Sequence, residues 1–280
     1  MSEQTTKPVL EIVIEPQPRW GLKDLRELAQ YVDLLYFLVW RTIKVAYAQT
    51  VGGIAWALIQ PAFQVLVFSL FFGGLLNVEP DGGVPYILFS TVAVIPWTYM
   101  SATMSSASSS LVGNAGMLSK IYFPRIIYPL VPVIFNLVTF FISLILVAAV
   151  MIYYDVQPTR QMVFLPVFFL LMIITPLSVG LWLASLAIRF RDVQIVMGYF
   201  MRMAIYLVPV MYPTETVPDE VRSLYILNPF VGVIEGFNAC LLGKPLYMDS
   251  LLTSAVISTV LLLTGLFYFK RMERVIVDVV

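Results

Sequence analysis

The sequence predicts an all-α integral membrane protein, and two observations lead to this fold class. Hydrophobic residues make up 60% of the 280-residue chain and charged residues only 12%, with a mean hydropathy of +0.88, whereas soluble domains carry roughly 25% charged residues. Six apolar segments also lie along the chain, each near the roughly 20 residues that a helix needs to cross a bilayer. We therefore predict a cytosolic tail over residues 1–20 and a single transmembrane domain over residues 21–280.

The composition also limits the chemistry of the chain. Its formal net charge is zero, which argues against nucleic acid as a partner. Histidine is absent and Cys240 is the single cysteine, so the sequence favours no intrachain disulfide, no metal site and no imidazole base. We expect no cofactor in this chain. The N-terminus lacks the basic start and apolar core of a signal peptide, so we expect the tail to stay in the cytosol.

The six predicted spans and the basic residues between them define a topology. The spans cover about residues 54–76, 85–111, 127–153, 162–188, 193–211 and 250–269. Of the 17 Lys and Arg residues, this topology assigns thirteen to the cytosol and one, Arg202, to the membrane, and leaves only Arg160, Arg222 and Lys244 outside. Short cytosolic loops collect positive charge, so both termini are predicted to be cytosolic.

Residues 21–49 are predicted to form an amphipathic helix beside the first span. Apolar residues recur every three or four positions, and charged residues such as Arg41 and Lys44 fill the positions between them. A basic amphipathic helix next to a span is typical of a helix that lies in the plane of the membrane interface.

Polar side chains inside the first two spans are the first candidates for a conducting path. Gln60 and Gln64 lie one helical turn apart and share a face, where they either bond neighbouring helices or face a lumen. Ser101 and Ser105 belong to a serine-rich face in the inner half of the second span. A polar face of this kind is unfavourable in contact with lipid, so we expect it to pack closely on another helix or to line a water-filled path.

Arg202 is the most unusual residue in the predicted spans. It lies roughly 13 Å along the fifth span at 1.5 Å per residue, where arginine costs about 2.5–3.5 kcal/mol. Tyr199 and Tyr206 lie three and four residues away on roughly the same face. Two interpretations follow: the arginine lines a translocation path, or it forms a static hydrogen bond with a polar residue such as Asn136 or Gln64.

Two further segments are too polar or too short to cross the membrane. Residues 111–125 carry Lys120 and Arg125 between two spans, and Pro124 ends any helix there because proline lacks an amide donor. They form either a short cytosolic helix that receives force from a soluble partner or an ordinary loop. In the outer segment 213–249, the apolar stretch 231–242 is re-entrant in character, and we expect two short helices that form a lid.

These features together resemble a known family. Asn114, Lys120 and the run Ile121–Arg125 look like the coupling helix of type-2 ABC exporter permeases, most closely the O-antigen polysaccharide exporters. The resemblance runs from about Val13 to the C-terminus. It implies roles in coupling to an ATPase for Asn114, Gly116, Lys120, Tyr122, Phe123, Pro124 and Arg125, in an interface helix for Arg41, Lys44 and Tyr47, and in a periplasmic gate for Asn228, Pro229, Phe230 and Glu235.

The resemblance also implies a function. The chain is expected to be the channel subunit of an exporter that moves lipid-linked polysaccharide across the bacterial inner membrane, as a homodimer with two ATPase chains that hold ATP and Mg²⁺. Gly243-Lys244 is followed by Pro245 and not by Ser or Thr, so this chain has no P-loop of its own. The alternative is a type-2 exporter of a capsule or teichoic-acid polymer, a drug or a lipid. The sequence contains no catalytic motif that would support a membrane enzyme.

Overall fold

The computed structural model describes residues 22–48, 50–80, 82–118, 123–157, 159–190 and 192–279, with the backbone alone for residues 22–25, 115, 118 and 274–279. The described residues form helices, turns and loops, without a strand, which confirms the all-α fold class. Five helices are long and apolar enough to cross a membrane, namely Gly53–Leu75, Tyr86–Gly113, Ile127–Tyr153, Arg160–Arg189 and Met248–Glu273. Each lies within a few residues of a predicted span. The predicted N-terminal tail falls outside the described residues.

The predicted amphipathic helix is present as two helices instead of one. α1 covers Leu22–Gln30 and α2 covers Val32–Tyr47, with a turn at Tyr31 between them. On α2, Leu38 and Val39 are buried against one end of the bundle, together with Leu111 and Phe123, whereas Tyr36 and Phe37 are exposed. We call this end, which the sequence predicts to face the cytosol, the inner end, and the opposite one the outer end. An exposed apolar face beside a packed one suits a helix that lies between the bundle and lipid.

Four of the five long helices follow in order and each contains a proline. The helices of this region are α3 (Trp56–Phe68), α4 (Tyr86–Gly113), the four-residue α5 (Ala115–Leu118), α6 (Ile127–Tyr153) and α7 (Leu165–Arg189). A 3-10 turn precedes α3 and a π-helix, Ser69–Leu75, continues it. The interior prolines of the long helices are Pro61, Pro96, Pro132 and Pro176.

α4 lies at the centre of the bundle. It packs against α3, α6, α7 and a later helix, and most of its 28 residues are buried. Its outer half joins a large apolar cluster that includes Trp97 and Met100, and Leu111 belongs to a second cluster at the inner end together with Leu38 of α2. A helix that is apolar on nearly all sides belongs in the interior. Only one narrow face of α4 is open.

The fifth predicted span differs from the expectation. α8 covers Asp192–Ala204 and a single 3-10 turn ends at Leu207, so the helix stops short of the predicted end at residue 211. Pro209 explains the stop, because the residue before a proline is forced out of the helical conformation, and Val208 is extended at φ −134° and ψ 154°. The chain still passes from one end of the bundle to the other, since the Tyr86 hydroxyl at the start of α4 donates to the carbonyl oxygen of Met211 at 2.6 Å.

Two short helices follow at the outer end and bend sharply. α9 covers Asp219–Ile226 and α10 covers Pro229–Leu242, with an angle of 98° between them. Fourteen residues rise about 21 Å, less than the ~30 Å of a bilayer core. Before the two helices, Met211 accepts the hydrogen bond from Tyr86 at the start of α4. After them, the Lys244 ammonium lies 5.0 Å from the centre of the Phe89 ring of the same helix. The hairpin therefore leaves and returns at one end of the bundle, the geometry expected of a re-entrant pair.

The last helix is longer than its predicted span. α11 covers Met248–Val279, whereas the sequence predicts a span over residues 250–269. Its 32 residues rise about 48 Å, so the helix extends well past the thickness of a bilayer core. The basic residues at the inner end do not stop it, because no proline or glycine follows them to break the helix.

Candidate functional site

A cavity of about 450 Å³ opens at the inner end of the bundle. Its walls come from α2, the inner half of α4 and the start of α6. The residues that line it include Arg41, Thr42, Ser106, Ser109, Ser110, Asn114, Tyr128 and Phe135. Hydroxyl, amide and guanidinium groups thus share a space with apolar walls, which is the usual character of a site that binds a ligand with a polar head.

The serine-rich face of α4 leads into this cavity. Along the inner half of α4, the side chains that are not buried are those of Thr98, Ser101, Ala102, Ser105, Ser106, Ser109 and Val112. We call these seven residues the serine stripe. In the single chain the stripe is exposed or half-buried along its length, and Ser106 and Ser109 line the cavity.

Three of the five hydroxyl groups of the stripe, those of Thr98, Ser101 and Ser109, are bonded within the helix. Ser101 donates to the Thr98 carbonyl at 3.2 Å, and Ser109 donates to the carbonyl of Ser106 at 3.2 Å. Such bonds to the preceding turn satisfy a hydroxyl proton locally. The oxygen lone pairs remain available to a ligand, so the stripe offers many weak acceptors and no strong site.

Three residues give the cavity its polar character at the inner mouth. Arg41 is exposed on α2, and Asn114 ends α4, where its side-chain amide donates to the Ser110 carbonyl at 2.8 Å. Tyr128 is 3% exposed, and its hydroxyl is buried without a hydrogen-bond partner among the described residues. A buried hydroxyl without a partner is uncommon, and here it lies in the wall of the cavity.

The other two predicted interface-helix residues have structural contacts. The Tyr47 hydroxyl lies 3.0 Å from the Thr139 hydroxyl of α6, and the Lys44 ammonium lies 5.3 Å from the centre of the Trp40 ring. Tyr47 therefore fastens α2 to α6, whereas Lys44 lies on the outer side of α2 and does not line the cavity. Of the three residues, only Arg41 reaches the cavity.

The predicted coupling segment is described in part. Asn114 separates α4 from α5, and Gly116 is exposed, with open space around the position of a Cβ atom. Phe123 is buried in the inner apolar cluster and its ring lies 5.4 Å from that of Tyr128. Pro124 comes directly before the first turn of α6, where its carbonyl accepts the Ile127 amide at 3.1 Å. Lys120 and Tyr122 lie outside the described residues.

Arg125 connects this segment to the far end of the chain. Its backbone N–H donates to the Glu273 carboxylate at 3.4 Å, and its guanidinium donates to the Glu273 carbonyl at 2.9 Å. Glu273 also lies 3.6 Å from the ammonium of Lys270. The segment between α4 and α6 is therefore attached to the inner end of α11, a contact between residues 148 positions apart.

The remaining predicted path residues lie on exposed surfaces of α3 and α8. Gln60 is exposed and Gln64 is half-buried, and neither makes a hydrogen bond within the described part of the chain. Tyr199 and Arg202 are exposed on α8, and Tyr206 is exposed in the 3-10 turn that follows it. Arg202 forms no ion pair or hydrogen bond with a described residue, so the static bond to Gln64 or Asn136 is absent from the single chain. α3 and α8 both pack against α4, but no hydrogen bond or ring contact between described residues joins these side chains to the serine stripe.

At the outer end, three of the predicted gate residues build the start of α10. Asn228 caps the helix, because its side-chain oxygen accepts the Phe230 amide at 3.1 Å. Its side-chain nitrogen donates to the Leu207 carbonyl at 2.9 Å and so ties α10 to the end of α8. Pro229 takes the first helical position, where its missing N–H is harmless. Phe230 packs edge-to-face on Trp97 of α4 at 6.0 Å.

Glu235, the fourth predicted gate residue, is a buried carboxyl between α10 and α11. It accepts a hydrogen bond from the Ser250 hydroxyl. Burial raises the pKa of the Glu235 carboxyl and the charge of Glu215 adds to the rise, while hydrogen bonds from Ser250 and Thr214 and the charge of Arg222 act in the opposite direction. The cavity beside it measures only about 20 Å³. The hairpin is therefore closed against α4 and α11.

Comparison with known proteins places the chain in a family. Residues 33–242 match the family model described as ABC-2 type transporter. The chain belongs to the ABC-2 type transporter family. The O-antigen export system permease protein RfbA of Myxococcus xanthus is 30% identical over 257 residues, which cover 90% of this chain and 98% of that protein. The protein of the same name from Klebsiella pneumoniae is 20% identical over 254 residues, 90% of this chain and 97% of that protein.

A more distant relative transports another polymer. The polysialic acid transport protein KpsM of Escherichia coli is 21% identical over 200 residues, which cover 70% of this chain and 76% of that protein. Members of the ABC-2 family are multi-pass membrane subunits that pair with an ABC ATPase. The resemblance to O-antigen export permeases that the sequence predicted is therefore confirmed, and so is its assignment to the membrane subunit.

Sequence reasoning missed part of the inner site. Tyr128 and Ser106 line the cavity, yet neither belongs to a motif with distinct spacing. Ser106 continues the exposed face marked by Ser101 and Ser105, so helical spacing carried that signal. Tyr128 is an aromatic residue at the start of a span, where tyrosines are common at membrane interfaces, and its burial beside Arg41 depends on how α2 packs against α6.

Proposed function

We propose that this chain is the channel subunit of an exporter that moves a lipid-linked polysaccharide of the O-antigen type across the bacterial inner membrane. The observation that carries the proposal is the serine stripe of α4, which runs out of the inner cavity beside Arg41. The relatives named for O-antigen export support the class of substrate. A separate ATPase subunit supplies ATP hydrolysis, and two copies of the chain form the complete channel.

The chemistry of the cavity suits the junction between lipid and sugar in such a substrate. A lipid-linked glycan joins an apolar tail to sugars through phosphate groups. Tyr36 and Phe37 are exposed apolar side chains on α2, and Arg41, about one helical turn after Phe37, lines the cavity beside them. A guanidinium binds phosphate through two parallel hydrogen bonds. The tail therefore stays in lipid while the headgroup enters the cavity.

The serine stripe suits a polymer that must keep moving. Hydrogen bonds between neutral groups contribute only about 0.5–1.5 kcal/mol each, so sugars exchange one serine oxygen for the next without being trapped. A strong site would hold the polymer and stop export. In the dimer, the stripe of one chain faces the channel, and α8 with Tyr199, Arg202 and Tyr206 borders it, so that each exposed polar residue is solvated by water or sugar.

The segment after α4 is the proposed contact with the ATPase. Gly116 is exposed with open space around it, and Phe123 anchors the segment to the inner cluster. A partner that docks here would contact the segment around Gly116 and move it relative to Phe123, which stays packed in the inner cluster. A cysteine at residue 116 should crosslink to the cleft of the ATPase in the assembled complex, and a residue that stays freely labelled there contradicts the docking.

Deletion of the chain and complementation with matched variants test the proposal. Without the chain, undecaprenyl-linked glycan should accumulate on the cytosolic side. Arg41→Gln should lower export about tenfold, because a hydrogen bond to a charged group contributes about 1.5–3 kcal/mol and a loss of ~1.4 kcal/mol is tenfold. Lys44→Gln, the control on the same helix outside the cavity, should export normally.

The outcomes separate the candidate substrates. If deletion leaves lipid-linked glycan at its normal level, the chain does not export such a polymer. If Arg41→Gln and Lys44→Gln lower export equally, the cavity has no special role. The relative named for polysialic acid transport favours a second candidate, a capsule polymer, and accumulation of a capsular glycan in the deletion strain would select it.

A further inference from the structure

α11 differs from the other long helices of the described chain because it contains no proline. α3, α4, α6 and α7 each enclose one, at Pro61, Pro96, Pro132 and Pro176. Proline is the commonest cause of a sharp helix kink. α11 runs unbroken for 32 residues and reaches both ends of the bundle, so a displacement at one of its ends is carried to the other.

The inner end of α11 is bonded to the segment that follows α4. Arg125 donates to Glu273 twice, once from its backbone N–H at 3.4 Å and once from its guanidinium at 2.9 Å. The two groups of Glu273 that accept these bonds are different, because one is the carboxylate and the other is the backbone carbonyl. A pair of bonds to one residue fixes direction as well as distance.

The outer end of α11 is bonded to the hairpin. The Ser250 hydroxyl donates to the Glu235 carboxylate, and the Ser254 hydroxyl accepts the backbone N–H of Gly232 at 3.2 Å. Gly232 has no Cβ, and a Cβ there would collide with the Ser250 carbonyl and the Ser254 hydroxyl. α10 therefore lies directly on α11, backbone against helix, over its first two turns.

α11 is also fixed sideways to α7 along its length. The Ser258 and Thr175 hydroxyls lie 2.8 Å apart, and the Trp182 indole donates to Thr264 at 3.3 Å. The Trp182 ring stacks on Tyr268 with centres 4.5 Å apart. These contacts prevent α11 from bending away from its neighbour, so the two helices behave as one stiff unit.

We infer that α11 is a rod that transmits the movement of the Arg125 segment to the outer hairpin, with Glu273, Ser250 and Ser254 as its positioning residues. The inference rests on the proposed function, since it takes the ATPase to act on the segment after α4. When that segment moves, Glu273 moves with it, and the outer end of α11 carries Gly232 and Glu235 in the same direction. The hairpin then leaves its contact on α4, and the outer end opens.

The test follows the hairpin while ATP is hydrolysed at the other side of the membrane. In the full complex, reconstituted in vesicles, Cys240→Ala removes the single native cysteine and Val221→Cys places a probe on exposed α9, where Val221 is 49% exposed. Adding ATP should change the rate of labelling by a membrane-impermeant maleimide several-fold. Glu273→Ala removes the carboxylate acceptor and leaves the bond from Arg125 to the backbone carbonyl in place. It should therefore reduce that change at least twofold and lower export, while ATP hydrolysis stays within about twofold.

Matched variants separate transmission from general damage. Leu263→Ala, on the exposed side of the same helix, should keep the response of residue 221 to ATP. Glu273→Gln keeps an oxygen acceptor for the Arg125 N–H and should retain most of it. If Glu273→Ala prevents assembly, Ser254→Ala removes the bond at the outer end and should give the same loss of response with ATP hydrolysis intact.

Two results would overturn the inference. One is a labelling rate at residue 221 that does not change when ATP is added to the otherwise unaltered complex. The other is a full change in labelling rate with ATP in both Glu273→Ala and Ser254→Ala. Failure of the proposed function looks different, because no ATPase then co-purifies with the chain and no lipid-linked glycan accumulates on its deletion. If the complex exports polysaccharide and residue 221 responds fully to ATP in both variants, only the role of α11 as a rod is refuted.

Discussion

The inner and outer ends of this bundle differ in how much space they enclose and in the side chains that line it. The inner end holds a cavity of about 450 Å³ lined by serines, Arg41 and Asn114, whereas the cavity beside Glu235 at the outer end measures about 20 Å³. The same helix, α4, lines both. Its inner half exposes small hydroxyl side chains, and its outer half buries Tyr86, Phe89 and Trp97.

The difference shows how one chain can be open to one side and sealed to the other. Small residues leave room and offer weak acceptors, so the inner end admits a charged and hydrated group. At the outer end, Trp97 of α4 packs edge-to-face on Phe230 of the hairpin, and Gly232 and Gly236 let the hairpin lie close against α11 and α7. Close packing of this kind leaves little free space. The single chain therefore has an open cavity at its inner end and closely packed helices at its outer end.

The largest effect should follow from disturbing the packing of the closed end. A Cβ on Gly236 of α10 would fall on the Phe168 ring of α7. Gly236→Ala should therefore lower the stability of the purified chain by about 1–3 kcal/mol through overpacking, seen as a lower thermal midpoint in detergent. Gly198→Ala is the control, because a Cβ on Gly198 of α8 meets nothing within 4 Å. Equal midpoints for the two variants would contradict the tight packing of the hairpin.

A smaller effect should appear in the pH dependence of the closed end. Burial raises the pKa of Glu235 above its ordinary value of 4.5, so the folded chain holds that proton more tightly than the unfolded chain does. The resulting stability is fully present below pH 4.5 and is lost as the pH rises through the raised pKa. In the Glu235→Gln variant, the thermal midpoint should therefore change less with pH across this window than it does in the parent chain.

A control residue on the neighbouring helix separates local from general effects of pH. Glu220 is exposed on α9, and Glu220→Gln should keep the pH slope of the parent chain. If Glu235→Gln and Glu220→Gln have the same slope, the buried carboxyl does not contribute to the closure of the outer end.

The sequence predicted those features that depend on local composition. Span boundaries follow from apolar length, and five of them lie within a few residues of the observed helices. The serine face followed from helical spacing, because Ser101 and Ser105 lie about one turn apart. The start of α10 carried a readable local signal as well, because Asn228 and Pro229 suit a helix cap and a first helical position.

Features that depend on distant contacts were not predictable in the same way. The bonds between Arg125 and Glu273 join residues 148 positions apart, and no local pattern marks either one as a partner of the other. The early end of α8 was different, since Pro209 lay inside the predicted span and its restriction on Val208 was a readable signal. The two polar partners considered for Arg202 lie elsewhere because α8 turns that residue outward.

The most direct measurement of the central claim is photocrosslinking of the growing polysaccharide to the inner site. A photoreactive p-benzoylphenylalanine replaces Ser106 in the serine stripe. The same photoreactive residue replaces Thr259, which is also exposed but lies on α11. In cells that make a radiolabelled lipid-linked glycan, residue 106 should capture labelled polymer and residue 259 should capture lipid alone. Polymer captured equally at both residues, or at neither, would contradict an export path along α4.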